Sequence, residues 1–138
     1  MEKMRKAAPV VLRIGMSLVF LWFGWQQLSD TTLWTSLIPP IYTDITGMSA
    51  TTFVLINGWF EVIFGSLLLL GIFTKITAFF LALHMLHVTF SVGYNGIGVR
   101  DFGLAMGTIS VFLQGADAWC LNKFLHKFFI VNKYTYDA

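Results

Sequence analysis

The sequence predicts an all-α integral membrane protein, a four-helix bundle followed by a C-terminal interfacial amphipathic helix. Three observations carry that expectation. Only 12% of the 138 residues are charged, against about 25% in an average soluble domain. Hydrophobic residues make up 57%, and the mean hydropathy is +0.73. The apolar residues also fall into four runs close to the ~20 residues that an α-helix needs to cross the hydrocarbon core: Ala8 to Leu28, Thr52 to Phe73, Ile76 to Gly93 and Asp101 to Ala118. Short connections leave room for one bundle over residues 1–138 and for no soluble domain. A net charge of +2 is too small to suggest nucleic acid, so the expected surroundings are the lipid bilayer.

The first run opens on Lys3, Arg5 and Lys6. Its apolar stretch is longer than the core of a signal peptide, and Leu28-Ser29-Asp30 does not offer a small-residue cleavage site, so a retained helix is expected. Arg13 lies about one turn inside, where a side chain snorkelling back to the headgroups competes with a functional role. Four spans with an internal N-terminus place Lys3, Arg5, Lys6, Arg13, Lys75, Lys123, Lys127 and Lys133 on one side, and only Arg100 toward the other. Because cytoplasmic loops retain Lys and Arg, a multi-pass protein of the cytoplasmic (inner) membrane with both termini cytoplasmic is predicted.

The connection from Ser29 to Thr51 has Asp30 and Asp44 but no basic residue, so it faces outward. Leu33, Trp34, Leu37, Ile38, Ile41 and Tyr42 surround Pro39-Pro40 in it, which reads as a lid at the outer interface, where Trp and Tyr keep an apolar ring buried and a polar atom wet. Beyond the fourth run, Trp119, Leu121, Phe124, Leu125, Phe128 and Phe129 recur at helical spacing with Lys123, His126 and Lys127 between them. That pattern predicts the interfacial tail helix, with a frayed continuation of the fourth span as its alternative. Close helix packing is expected at Gly58 and Gly65, at Gly103, Gly107 and Ser110, and more loosely at Ala82, Ser91 and Gly93.

Ionisable residues at bilayer depth are costly and normally face a bundle interior. Glu61 sits near the middle of the second run, His84 and His87 lie in the third, and Arg100 and Asp101 open the fourth. With ~1.5 Å of rise per residue, Glu61 and His87 come roughly 18 Å from the cytoplasmic helix ends, His84 about a turn lower, and Arg100 and Asp101 about 21 to 23 Å. One polar cluster is therefore expected in the outer half of the bundle, with Gln26, Gln27 and Asn57 above it. Three readings compete: a structural lock, a quinone or redox site in which His and Glu relay protons, and a metal site. Two His and one carboxylate without a motif such as HExxH are a weak ligand set, so no metal residue is assigned. Cys120 stands alone, which excludes a self-contained CxxC thiol oxidoreductase.

These residues resemble the DoxX family of small four-span membrane proteins. Arg13-Ile-Gly-Met-Ser-Leu-Val-Phe-Leu-Trp-Phe-Gly24 is similar to its opening helix, and Asn57-Gly-Trp-Phe-Glu61 followed by Gly71-Ile-Phe-Thr-Lys75 to its second helix and turn. Val99-Arg-Asp-Phe-Gly-Leu104 and Gly115-Ala-Asp-Ala-Trp119 resemble the two ends of its last helix. The resemblance implies a four-helix bundle in a family linked to thiosulfate:quinone oxidoreductase subunits and other membrane redox complexes, although a fold alone does not fix chemistry. By position it carries over to Arg13, Glu61, Arg100 and Asp101.

The expected function is thus an integral membrane redox subunit that binds a quinone or small redox partner. Glu61 and His87 would relay protons, and His84, Arg100, Asp101, Asn57 and Gln26 would hold the ligand, with Arg100 oriented by Asp101. A membrane or peripheral redox protein is the expected partner, and a homo-oligomer is compatible with the sequence. The rival is a non-catalytic assembly or scaffold protein whose polar cluster only fixes helix packing.

Overall fold

The computed structural model describes residues 2–121. Six helices follow in order: α1 (Glu2–Ser29), α2 (Thr32–Thr35), α3 (Pro40–Thr46), α4 (Ala50–Leu70), α5 (Thr74–Val92) and α6 (Gly96–Gln114). Four of them, α1, α4, α5 and α6, are long and apolar enough to cross a membrane. The protein is a helical membrane bundle, as its composition requires. Of the predicted tail helix, all but Trp119 and Leu121 lies outside the described residues.

Helix ends are set by identifiable residues. Ser49 starts α4 by accepting from the Thr52 N–H at 3.2 Å, a hydroxyl cap on an otherwise unpaired donor. At its other end Gly71 adopts a left-handed φ of 69°, and the Ile72 N–H returns to the Leu67 carbonyl at 2.9 Å. That glycine closure stops α4 at Leu70, three residues before the predicted end at Phe73. Asn95 starts α6 by accepting from the N–H groups of Ile97 and Gly98 at 2.9 and 3.0 Å. The cap moves the start of the fourth span five residues ahead of Asp101, so Arg100 and Asp101 sit one turn inside the helix rather than at its opening.

Consecutive spans run antiparallel, and α1 packs along α4 while α5 packs along α6. Glycines bring α1 and α4 together: a Cβ on Gly24 would come within 2.8 Å of the Gly58 carbonyl oxygen, and one on Gly65 within 3.2 Å of Phe20 Cβ. On α6, Gly107 lies against Met16, but Gly103 has nothing within 4 Å and is exposed, so the packing role expected of it is not there. Phe20, Leu68, Ala78, Leu81, Met85 and Ala105 form the core between the pairs, while Val11, Leu18, Trp22, Ile56 and Phe90 stay exposed on the outside, as a lipid-facing surface requires.

The two ends of the bundle are built differently. The Gly71–Phe73 turn and the segment 115–121 meet at one end, called here the turn end. The other, the lid end, carries α2, α3 and the Gly93–Asn95 connection. Pro40 takes the first position of α3, where a missing N–H costs nothing, and the two short helices fold over the mouth of the bundle.

Candidate functional site

Beneath the lid lies a cavity of about 300 Å³ bounded by α1, α4, α5 and α6. Its walls are mostly apolar, among them Phe23, Phe53, Val54, Met85 and Val88, and the lid contributes Trp34, Leu37, Ile38, Pro39 and Tyr42. The polar groups on it come as three separate sets.

The first is centred on Glu61, 4% exposed. Gln27 Nε2 of α1 donates to its Oε2 at 2.9 Å, Asn57 Nδ2 of α4 to its Oε1 at 3.3 Å, and His84 Nε2 of α5 lies 3.2 Å from the same Oε1. Asn57 also donates to Gln27 Oε1 at 2.7 Å, so three helices are tied together through one carboxylate. Asn57 and Glu61 share a face of α4 because they are four residues apart.

The second set joins the lid to α5. Tyr42 Oη lies 2.9 Å from both His87 Nε2 and Ser91 Oγ, and Ser91 Oγ donates to the His87 carbonyl at 2.9 Å. A hydroxyl has one proton. With the Ser91 proton committed to that carbonyl, Tyr42 donates to Ser91 and His87 Nε2–H donates to Tyr42. The third set is Arg100, whose Nε donates to Asp101 Oδ1 at 2.7 Å. Its guanidinium stacks over the Phe23 ring at 4.7 Å, a cation–π contact. A shallower groove between α1 and α6, lined by Leu18, Val19, Trp22 and Leu104, shares Phe23 and Arg100 with the cavity.

Of the residues singled out from sequence, Glu61, Asn57, His87, Arg100 and Asp101 all line this cavity. They surround one space without forming one hydrogen-bonded cluster. His84 stands behind Glu61, packed against the Phe60 ring at 4.8 Å between ring centres. Gln26 does not line the cavity; its neighbour Gln27 does, buried beside Glu61. Residues one apart on a helix point about 100° away from each other, and Gln27 is the one in register with Phe20 and Gly24 on the face toward α4. Sequence reasoning also missed Tyr42 as a partner of His87 and Trp34 as part of the wall. Their place in the lid among apolar residues was the only signal.

Arg13 belongs to neither cavity nor headgroups. It is 2% exposed at the turn end. Its Nε donates to Asp117 Oδ2 at 2.6 Å and its Nη1 to the Leu68 carbonyl at 2.8 Å and to that of Leu69. The snorkelling alternative is corrected: an acceptor 104 positions away in sequence, together with the last carbonyls of α4, holds the guanidinium inside. Asp117 stood in the Gly115-to-Trp119 motif at the same helix end, which was the available clue. Cys120 is buried here too, its Sγ 3.3 Å from Thr74 Oγ1.

An all-helical membrane bundle with a lidded cavity and buried carboxylates inside it defines an integral membrane protein with a ligand-sized interior site. The chain belongs to the DoxX family, whose model matches residues 8–93. That match runs from residue 8 within α1 through α5, and Arg100, Asp101 and Asp117 lie beyond it. Comparison with curated proteins and with solved structures finds no match.

Proposed function

We propose that this DoxX-family protein is the membrane subunit of a redox system and holds a quinone head group in the cavity beneath the lid. One observation carries the reading: the buried Glu61 carboxylate and the His87–Tyr42–Ser91 chain occupy walls of the same cavity. Reduction of a quinone to its quinol takes up two electrons and two protons. This chain supplies binding and proton exchange, through Glu61 and His87 as acid–base groups; the electrons come from a redox protein bound to it. Arg100 holds a carbonyl or anionic oxygen and Asp101 orients Arg100. The volume suits a substituted ring, since an apolar cavity of about 150 Å³ already holds benzene. The groove between α1 and α6 gives a tail a way out into lipid.

In the bilayer the termini lie on the cytoplasmic side of the inner membrane and the lid outside, by the distribution of basic residues. A cysteine at Ile45, exposed on the lid, reacts with an impermeant thiol reagent added to intact cells if that orientation is right.

A specific observation favours the scaffold reading as the alternative: Gln27, Asn57 and His84 already engage both oxygens of Glu61 within the bundle. The Glu61→Gln, His87→Gln double variant separates the two, because glutamine keeps much of the shape and hydrogen bonding while removing proton exchange. Quinone binding to the purified protein, quinone-linked turnover in membranes and thermal stability are measured together. The redox site predicts a folded variant that has lost turnover; unchanged turnover in a folded variant leaves the scaffold reading in possession.

A further inference from the structure

Arg100 is fixed in place but has donors to spare. Its Nε donates to Asp101 Oδ1 at 2.7 Å and its guanidinium lies over the Phe23 ring. Neither Nη group makes a hydrogen bond among the described residues, and the side chain is 44% exposed. The other basic residues described, from Arg5 to Arg13 on α1 and Lys75 at the start of α5, lie toward the turn end. Arg100 is thus the one cation at the lid end among the described residues, four positions after Gly96 and about 6 Å inside that end of α6. From it the groove between α1 and α6 runs toward the bilayer centre, walled by Leu18, Val19, Trp22, Phe23 and Leu104. Leu18 stands eleven residues before Ser29, roughly 16 Å from the lid end, so the groove continues about 10 Å below Arg100.

We propose that this groove is a phospholipid-binding site: an acyl chain lies between α1 and α6, and the phosphate accepts hydrogen bonds from the Nη groups of Arg100. Charge complementarity selects the occupant. Arg100 is the only polar side chain on the groove, so what fits is a single anionic group on an apolar tail, and bonds from a guanidinium to phosphate are charge-assisted and can be bidentate. The buried Asp101 holds Nε and Phe23 holds the guanidinium face, so the free Nη edge is pre-organised, unlike a freely swinging snorkelled side chain. A soluble anion would use Arg100 without the groove, and a neutral lipid the groove without Arg100. The proposal goes beyond the quinone reading and does not depend on it. Because Arg100 lines both cavity and groove, a phospholipid chain and a quinone tail exclude each other there.

The test uses the full chain in dodecyl maltoside, an uncharged detergent, with bound lipid read by native mass spectrometry. The probes are dioleoylphosphatidylglycerol, dioleoylglycerol, which has the same chains but no phosphate, and inorganic phosphate. The phospholipid should bind one to one and about tenfold or more tightly than dioleoylglycerol, the size of a charge-assisted hydrogen bond, and equimolar inorganic phosphate should not displace it. Arg100→Gln should lower phospholipid affinity to that of dioleoylglycerol. Leu18→Trp, at an exposed position, fills the groove without altering Arg100 or Asp101 and should weaken both lipids alike, which keeps the proposal open to refutation even if Arg100→Gln does not fold. Equal affinities for the two lipids, displacement by inorganic phosphate, or undiminished phospholipid binding in Leu18→Trp or in a folded Arg100→Gln overturns the inference. Affinity of the wild type for a decyl-substituted benzoquinone is measured separately: quinone binding without phospholipid selectivity overturns the lipid site alone, and phospholipid selectivity without quinone binding overturns the quinone reading alone.

Discussion

The two ends of the bundle bury charge in opposite ways. At the turn end Arg13 meets Asp117 and the carbonyls of Leu68 and Leu69, and Gly71 lies so close to Cys120 that no side chain fits between them. At the lid end the buried Glu61 and Asp101 border a cavity. A charge whose partners enclose it from every side holds helices in register. A charge that keeps one face on a cavity can do the same and still meet something else, which is why the candidate site lies with Glu61 and not with the more deeply paired Arg13.

The sharpest way to break this comparison is to open the turn end. Arg13→Leu leaves Asp117 buried without its cation, a change worth about 3–5 kcal/mol for a buried pair, and removing both partners is far milder. Thermal unfolding in detergent should therefore show a large loss in Arg13→Leu and a partial recovery in Arg13→Leu, Asp117→Leu. Recovery stays partial because the Leu69 carbonyl loses its Arg13 donor and the Leu68 carbonyl keeps only the Gly71 N–H. Strictly additive losses would mean that the two residues do not interact. The pair also has an acid signature. Burial alone raises the Asp117 carboxyl, but the hydrogen bond from Arg13, the Trp119 N–H, the Arg13 charge and a hydrogen bond with Cys120 outweigh it and hold the carboxyl below its ordinary 3.8. A carboxyl lowered by folding contributes stability that is complete well above the ordinary value and is lost as pH falls through the lower folded one. The wild type should accordingly lose melting temperature below about pH 4, and Asp117→Asn, less stable at neutral pH, should lose less over that range.

A glycine exchange at the turn end and one on the open face of α6 give the next largest contrast. A Cβ at Gly71 would lie 2.6 Å from Cys120 Cα, at a φ of +69°. Gly71→Ala should cost about 2 kcal/mol or more, from backbone strain and from the displaced segment. Gly103 has nothing within 4 Å, so Gly103→Ala should be neutral or stabilising by up to ~1 kcal/mol, as for a glycine inside a helix. Equal effects on unfolding would contradict the close contact at the turn end.

The spans were legible because hydropathy and length report directly on what a bilayer admits, and Ser49, Gly71 and Asn95 then trim each helix to within a few residues of the hydropathy limits. Heights were legible too: counting residues brought Glu61, His87, Arg100 and Asp101 to one level, and all four line one cavity. Counting gives height but not direction around the helix, so Gln26 was preferred to Gln27, and three hydrogen-bonded sets were read as a single cluster. Pairs distant in sequence were not legible. The Gly115-to-Trp119 motif puts Asp117 at the helix end where Arg13 lies but does not pair the two, and nothing near His87 points to Tyr42, because each contact exists only once the helices have packed.

Arg100 and Asp101 carry the comparison into the site itself. Equal costs for losing either partner would follow if both were buried, but their side chains are 44% and 3% exposed. Arg100→Leu strands a buried carboxylate, worth about 1–3 kcal/mol, whereas Asp101→Leu frees a guanidinium that already reaches the surface and should cost less than about 1 kcal/mol. Thermal unfolding of the two single variants checks the order. If Asp101→Leu were the more damaging, Arg100 would depend on Asp101 for more than charge balance.

The smallest expected effect comes from strain held at the turn end alone. Phe73 adopts φ 47° and ψ 42° and is the one non-glycine residue with positive φ among those described. At the lid end the corresponding hairpin uses Gly93, at φ 81°, where no Cβ resists. A side chain in the left-handed region costs about 1–2 kcal/mol, and asparagine bears that conformation better than most because its short amide bonds locally. Phe73 is 61% exposed, so its ring adds little packing within the protein. Phe73→Asn should therefore raise stability by up to ~1 kcal/mol, read as a small increase in melting temperature. Phe73→Ala removes the same ring but keeps the left-handed strain, and should gain nothing. Asparagine and alanine variants with equal melting temperatures would show that the turn is not strained, and that the close fit of the turn end is achieved at no conformational cost.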